Sequence, residues 1–318
     1  MRRTKAEIDS VKAAIYELCE KYAPMTVRQL FYQLVSLFII QKTEQEYKGT
    51  VCRLTKEMRL NGELPWNWLA DNTRWMHKPN TFGGIDDLLD RSQRAYRRAL
   101  WDPKTNPDYC EVWIEKDALT GVFYDVTQEY DVPLMPCKGY PSLSFIRSAA
   151  EKIVRNLNAR DDHHHQVSDL DAWSSAHVYY FGDFDPSGVD ISRSTEARLR
   201  QFITELSGGV SAVEQFHFQF HRVAVNHDQI EAMGLPTRPT KKSDSRSAKF
   251  GHDVSVEVDA INPDTLRQMT RDCITAHINE HQLQSIRDTE AMERGVLEQV
   301  SNFTNRFGTE ALSGRLAV

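Results

Sequence analysis

The sequence predicts a mixed α/β chain whose first third is helical and whose remainder alternates strands with helices. Three observations carry this. Up to about residue 60, apolar residues recur at helical spacing behind N-capping signals. From residue 109 onward, short β-branched and aromatic runs alternate with helical stretches, the pattern of a parallel sheet flanked by helices. The charge also divides: residues 1–105 hold 18 Lys and Arg against 13 Asp and Glu, a net of +5, whereas the rest holds 21 against 32, a net of −11. A chain of 318 residues has room for two cores, placed here at 1–105 and 106–318.

In the first unit, residues 7–22 put Ile8, Val11, Ile15, Leu18 and Cys19 on one helical face, and Pro24 ends that helix. Thr26 and Gln29 form a capping box for a second helix burying Val27, Leu30, Phe31, Leu34, Val35 and Phe38. A further box, Thr43 to Glu46, opens a third helix carrying Tyr47, Val51, Leu54 and Met58, which stops at Asn61-Gly62. Residues 65–69 and 72–75 read as the short strands of a wing. Three helices and a wing make a winged-helix (CAP-like) unit, a DNA-docking variant of helix-turn-helix.

Tyr32 stands at the border of the second helix's apolar stripe, so its hydroxyl is expected to project, and Arg28 lies one turn earlier on the same edge. A guanidinium there favours a phenolate. Taken alone, a boundary tyrosine of this kind is more often a half-buried packing residue. Residues 85–100 form a connecting helix whose Arg91, Arg94 and Arg98 make a basic ridge suited to phosphate, or a solvated face balanced by Asp86, Asp87 and Asp90.

The second unit centres on residues 178–188. The buried strand Val178-Tyr179-Tyr180-Phe181 runs into Gly182, then presents Asp183 and Asp185, and a helix follows over 191–206. Two carboxylates at the carboxyl end of a central strand sit where open α/β sheets place their sites. Such hard oxygen ligands suit Mg²⁺. A lone pair of this kind is also an ordinary acidic turn capping the next helix. A second strand, 109–114, ends in Glu115-Lys116-Asp117-Ala118 before a helix over 119–130. A third, 133–137, ends in Lys138-Gly139-Tyr140-Pro141-Ser142 before a helix over 142–158. Residues 216–225 read as another strand, followed by a short helix to Met233. Residues 236–253, with Lys241 and Lys242, read as an exposed basic loop. Residues 254–261 are strand-like, and 263–278 and 282–303 are terminal helices. His163-His164-His165 lack metal-ligand spacing and read as a surface loop.

The motifs Ile114-Glu115-Lys116-Asp117-Ala118, Lys138-Gly139-Tyr140-Pro141-Ser142 and Gly182-Asp183-Phe184-Asp185-Pro186-Ser187-Gly188 closely resemble, in order, the Toprim half of the topoisomerase VI A-subunit family, which includes the meiotic double-strand-break proteins. Thr26-Val27-Arg28-Gln29-Leu30-Phe31-Tyr32 resembles that family's nucleophile segment, although Gln29 stands where the family has an acid. The resemblance spans roughly residues 24–40 and 108–260. It implies a Toprim domain with a C-terminal helical extension, Tyr32 as DNA-cleaving nucleophile and Arg28 as its neighbour. It also implies Mg²⁺, with Mn²⁺ as a substitute, on Glu115, Asp183 and Asp185. Lys116, Gly139 and Tyr140 would approach double-stranded DNA. A homodimer is implied as well, one subunit's tyrosine meeting the other's metal site. The family's topoisomerase also uses a separate ATPase B subunit. This chain has no P-loop and no GHKL-type ATPase segment, hence no ATP site, and with a first helix beginning near Glu7 it resembles a short, stand-alone A-type member.

Two other readings stay open: a Toprim nuclease that hydrolyses DNA without a covalent intermediate, and a DNA-binding or assembly protein without catalysis. No apolar run approaches a membrane span, the basic amino terminus lacks a signal-peptide core, and five cysteines without a CxxC pair read as reduced thiols. The expected setting is cytoplasmic, on nucleoid DNA, with no membrane partner.

Overall fold

The computed structural model describes residues 3–69, 81–101, 106–158, 174–207, 217–241 and 246–307. Helix α1 (Lys5–Tyr22) opens on a reciprocal capping box in which the Glu7 N–H donates to the Thr4 hydroxyl and the Thr4 N–H donates to the Glu7 carboxylate. Helix α2 (Val27–Ser36) opens on the expected Thr26–Gln29 box. The third expected helix is α3 (Glu44–Glu46), which runs through a π-helical stretch (Tyr47–Cys52) into α4 (Arg53–Leu60). Gly62, at φ +74°, takes the chain out of it.

The expected wing strand at 65–69 is instead a 3₁₀ turn (Trp66–Trp68) with a single bridge from Leu69 to Met25. Trp68 packs its ring 5.2 Å from that of Tyr16 on α1, which draws the segment onto the helices. Residues 72–75 lie outside the described residues. Helix α5 (Ile85–Ala95) ends earlier than expected because Tyr96 turns extended and donates its hydroxyl to Glu293.

Strands β1 (Asp108–Ile114), β2 (Leu134–Pro136), β3 (Ser175–Phe181) and β4 (His217–Ala224) form a parallel sheet in the order β2-β1-β3-β4. Helices α6 (Thr120–Glu129), α7 (Leu143–Asn158) and α8 (Pro186–Leu206) make the crossovers that parallel neighbours require. Helix α8 starts five residues before the expected 191, because Asp185 caps it and Pro186 occupies its first position.

After β4 come α9 (His227–Ala232), β5 (Arg238–Pro239), α10 (Ser247–Phe250) and β6 (Val254–Ser255), with β5 and β6 antiparallel. The expected loop at 236–253 therefore carries β5 and α10. The expected strand at 254–261 shortens to β6 and turns into a 3₁₀ helix (Val258–Ala260). Helices α11 (Pro263–Thr275) and α12 (Glu280–Phe307) follow, α12 lying along α5.

Side-chain alternation divides the sheet between two cores. Trp113, Val178 and Tyr180 pack with α7 and α8. Val112, Ile114 and Phe181 face the other way, into a cluster shared with α6 and α11. That cluster also takes in Ile15, Leu30 and Leu54 of the amino-terminal helices and Val256, Val258 and Ile261. The helical unit is thereby packed against the segment that adjoins the carboxyl ends of β1 and β3. Among the described residues, no helix is long and apolar enough to cross a membrane.

Candidate active site

Two of the acids predicted at the strand ends, Glu115 and Asp183, meet directly, while Asp185 turns to the start of α8 and to Arg238. The Asp183 N–H donates to Glu115 Oε2 at 2.9 Å, joining the ends of β1 and β3. A side chain at Gly182 would put its Cβ 2.6 Å from that same Glu115 oxygen, so the close approach requires glycine. Asp185 caps α8 by accepting from the Gly188 N–H at 2.8 Å, while its other oxygen accepts from Arg238 at 3.0 Å. The capping reading and the site reading thus both apply to Asp185.

Phe184, between the two aspartates, exchanges a pair of 2.8 Å backbone hydrogen bonds with Val256. Two residues on, the Val258 N–H donates to Asp183 Oδ1 at 2.9 Å. The segment 256–259 therefore holds the aspartate pair in place and brings two further acids, Glu257 and Asp259, which sequence reasoning missed. Their signal was available: a Glu-Val-Asp interruption in an otherwise apolar run, where a buried acid needs a partner.

That partner is Lys116. Its ammonium lies 3.0 Å from Asp183, 3.2 Å from Glu257 and 2.7 Å from Asp259, a cation inside an oxygen cage. Burial works against its charge, but the surrounding acids win and raise the ammonium above its ordinary range. Arg28 makes a two-pronged pair with Glu257 at 3.0 and 3.1 Å, and also reaches Glu44 at 3.0 Å. Although burial opposes it, Glu257 is held below the usual carboxylate range by the Arg28 hydrogen bonds and the Lys116 charge. Glu115 and Asp183 go the other way. Burial raises both, reinforced at Glu115 by the Asp183 charge; at Asp183 the Lys116 charge opposes it.

Tyr32 corrects one expectation. Its hydroxyl does not project; the residue is 1% exposed, because the 3₁₀ helix Val258–Ala260 packs over the edge of α2 that the helical pattern leaves open. Nor does Arg28 hold it as a phenolate. Burial first, then the Glu257 charge, raises the phenol above its ordinary range, outweighing Arg28 and Lys116. Tyr32 nonetheless stands at the acid cluster of its own chain, sharing Glu257 and Lys116 with it. Lys42, another residue the sequence reading passed over, lies 5.2 Å from the Tyr32 ring centroid and donates to the Pro236 carbonyl.

The remaining predicted contacts are dispersed. Gly139, at φ +83°, donates its N–H to the Glu115 carbonyl at 3.0 Å, and the Tyr140 hydroxyl donates to Asp190 at 2.7 Å. Beside them, a cleft of about 620 Å³ along the start of α8 is lined by Arg193, Arg246 and Lys249. Arg91 pairs with Asp87 and Arg94 with Asp90 along α5, while Arg98 lies beyond the helix and pairs with Glu293. The expected single ridge of three arginines is therefore broken, each cation engaged by an acid of the chain. Lys241 is exposed, and Lys242 and His163 to His165 lie outside the described residues.

Comparison with known proteins finds no family model, curated protein or solved structure that matches the chain.

Proposed function

We propose that the chain cleaves double-stranded DNA by tyrosine transesterification, in the manner of the topoisomerase VI A subunits its motifs resemble, with the helical unit as a winged-helix docking domain and the sheet as a Toprim domain. The observation that carries this is that Tyr32 shares Glu257 and Lys116 with Asp183 of its own chain, a same-chain meeting where the resemblance implies one between subunits. Residues from opposite ends of the sequence converge there on one charged centre.

Tyr32 Oη attacks a backbone phosphorus, the bond from phosphorus to the deoxyribose 3′ oxygen breaks, and that oxygen leaves as a 3′-hydroxyl with the proton the phenol gives up. The DNA 5′ phosphate remains on Tyr32 as a phosphodiester, which conserves the bond for rejoining. By donor chemistry the carboxylates of Glu115, Asp183 and Asp185 would suit Mg²⁺, or Mn²⁺ in its place, once Lys116 and Arg238 give up Asp183 and Asp185, and an ion held there would supply positive charge against the phosphate and leaving oxygen.

A DNA phosphate competes with Glu257 for Arg28 and Lys116, since both cations bind phosphate oxygens as readily as carboxylates. Loss of those pairs removes the side-chain ties of Glu257 to α2 beside Tyr32. Two copies of the chain acting on the two strands account for a double-strand break, and an ATPase partner is not needed for cleavage itself.

The burial of Tyr32 favours a second reading, in which the same acids direct water and Tyr32 only packs. Incubation with supercoiled DNA and Mg²⁺, followed by denaturation with and without protease, separates the two. Transesterification gives ends that carry protein and are released by protease, and Tyr32→Phe gives none. Hydrolysis gives free ends that survive Tyr32→Phe but not Asp183→Ala. Salt-sensitive DNA binding without cutting under any metal would reject both.

A further inference from the structure

The opposite end of the sheet carries a cluster that the cleavage reading does not use. β1 begins at Asp108. On the sheet face toward α11, β3 places His177 and Tyr179, and β4 places His221 beside Tyr179. The turn after α11 adds His277, whose ring centroid lies 4.3 Å from that of His177. Four segments remote in sequence thus bring three imidazoles, a carboxylate and a phenol together.

The geometry points to a metal site of the zinc class, held by Asp108, His177 and His277, which His221, now against His177 alone, completes by turning toward the other two. One ligand atom from each of the first three lies within 4.8 Å of the others. Tetrahedral zinc with bonds of about 2.0–2.1 Å sets its ligand atoms about 3.3–3.4 Å apart. His177 Nδ1 and His221 Nε2 already stand at 3.3 Å. His277 Nδ1 and Asp108 Oδ2 share a hydrogen bond at 2.7 Å, which opens by about 0.6 Å to reach the same spacing.

The outward atoms of these donors are braced as metal ligands usually are. His277 Nε2 meets the Tyr179 hydroxyl at 2.5 Å, His177 Nε2 meets the Ser175 hydroxyl at 3.1 Å, and Asp108 Oδ1 bonds to that same hydroxyl. His177 and His277 therefore each have one nitrogen tied back and the other turned inward. Three imidazoles and one carboxylate select zinc, nickel or copper over Mg²⁺, so the site is chemically separate from the all-oxygen corner. Its role is to clip the starts of β1 and β3 and the middle of β4 to the end of α11, a link the sheet's hydrogen bonds do not supply.

The test uses the full chain without an affinity tag, stripped with a chelator and titrated with Zn²⁺ against a chromophoric competitor. The competing source is His163-His164-His165, so the measurements run in a His163→Ala/His164→Ala/His165→Ala background. One equivalent of Zn²⁺ is expected there, with an X-ray absorption spectrum showing mainly imidazole nitrogen around the metal, and no change to the cluster itself is needed to read it. Tyr179→Phe should weaken binding by about 10- to 100-fold, and His177→Ala or His277→Ala by more, with circular dichroism confirming the fold. Absence of stoichiometric binding, an oxygen-only spectrum, or affinity unchanged in a folded His177→Ala variant would each overturn the assignment.

Discussion

At the carboxyl ends of β1 and β3 the side chains that meet are acids and the cations that neutralise them; at the amino ends, joined by β4, they are imidazoles, a carboxylate and a phenol. The first group comes from strand-to-helix turns, where the backbone has just left the sheet and Gly182 lets Glu115 close in. The second comes from register, since His177 and Tyr179 lie on one face of β3 with His221 alongside, and His277 arrives on a turn from above. A parallel sheet offers every strand's carboxyl end to the same edge, so charge accumulates there and needs buried counterions. The amino-end cluster carries little net charge and is held by short hydrogen bonds instead.

The largest expected contrast is in DNA cleavage. Asp183→Ala should reduce Mg²⁺-dependent cutting by at least about 100-fold, whereas His177→Gln should leave it within a few-fold, measured by linearisation of a supercoiled plasmid. Equal losses in both would mean that the two ends act as one site. Next comes stability: Lys116→Met removes the ammonium from among Asp183, Glu257 and Asp259 and should cost about 3–5 kcal/mol by urea denaturation. A neutral result would show that the cage does not depend on its cation. Gly182→Ala is expected to cost about 1–3 kcal/mol, because the new methyl group collides with Glu115 and Tyr180.

The two ends should also titrate in opposite senses. Burial and then His277 lower His177 from its ordinary 6.5 to about 4, so the unfolded chain binds more protons between those values, and acidification through that window is destabilising. Glu115 and Asp183 are raised, so their contribution is full below the ordinary carboxylate range and is lost as pH rises toward neutrality. In chelator, His177→Gln should flatten the acid limb of a plot of Tm against pH, and Glu115→Gln the other limb. A single variant that flattened both would contradict separate titrations.

This division also explains what the sequence made legible. Glu115, Asp183 and Asp185 stand in contiguous motifs at turns, and the cap at Thr26 is local, so the parallel strands, α2 and the acidic turns could be placed, whereas the wing at 65–69, the strand at 254–261 and the start of α8 could not. Glu257 and Asp259 could not be placed, because their role depends on the backbone bridge between Phe184 and Val256. The burial of Tyr32 was hidden for the same reason: residues more than two hundred positions away cover it. The ligands at the amino ends follow no spacing rule at all, being set by strand register and the length of α11.

The central claim is tested most directly by mapping the covalent product. Wild-type protein incubated with duplex DNA and Mg²⁺, digested with nuclease and protease, should yield a peptide bearing a 5′-nucleotide on Tyr32, absent when Mg²⁺ is chelated and absent in Tyr32→Phe. DNA cut at the wild-type rate by Tyr32→Phe, with no nucleotide on any tyrosine, would contradict it.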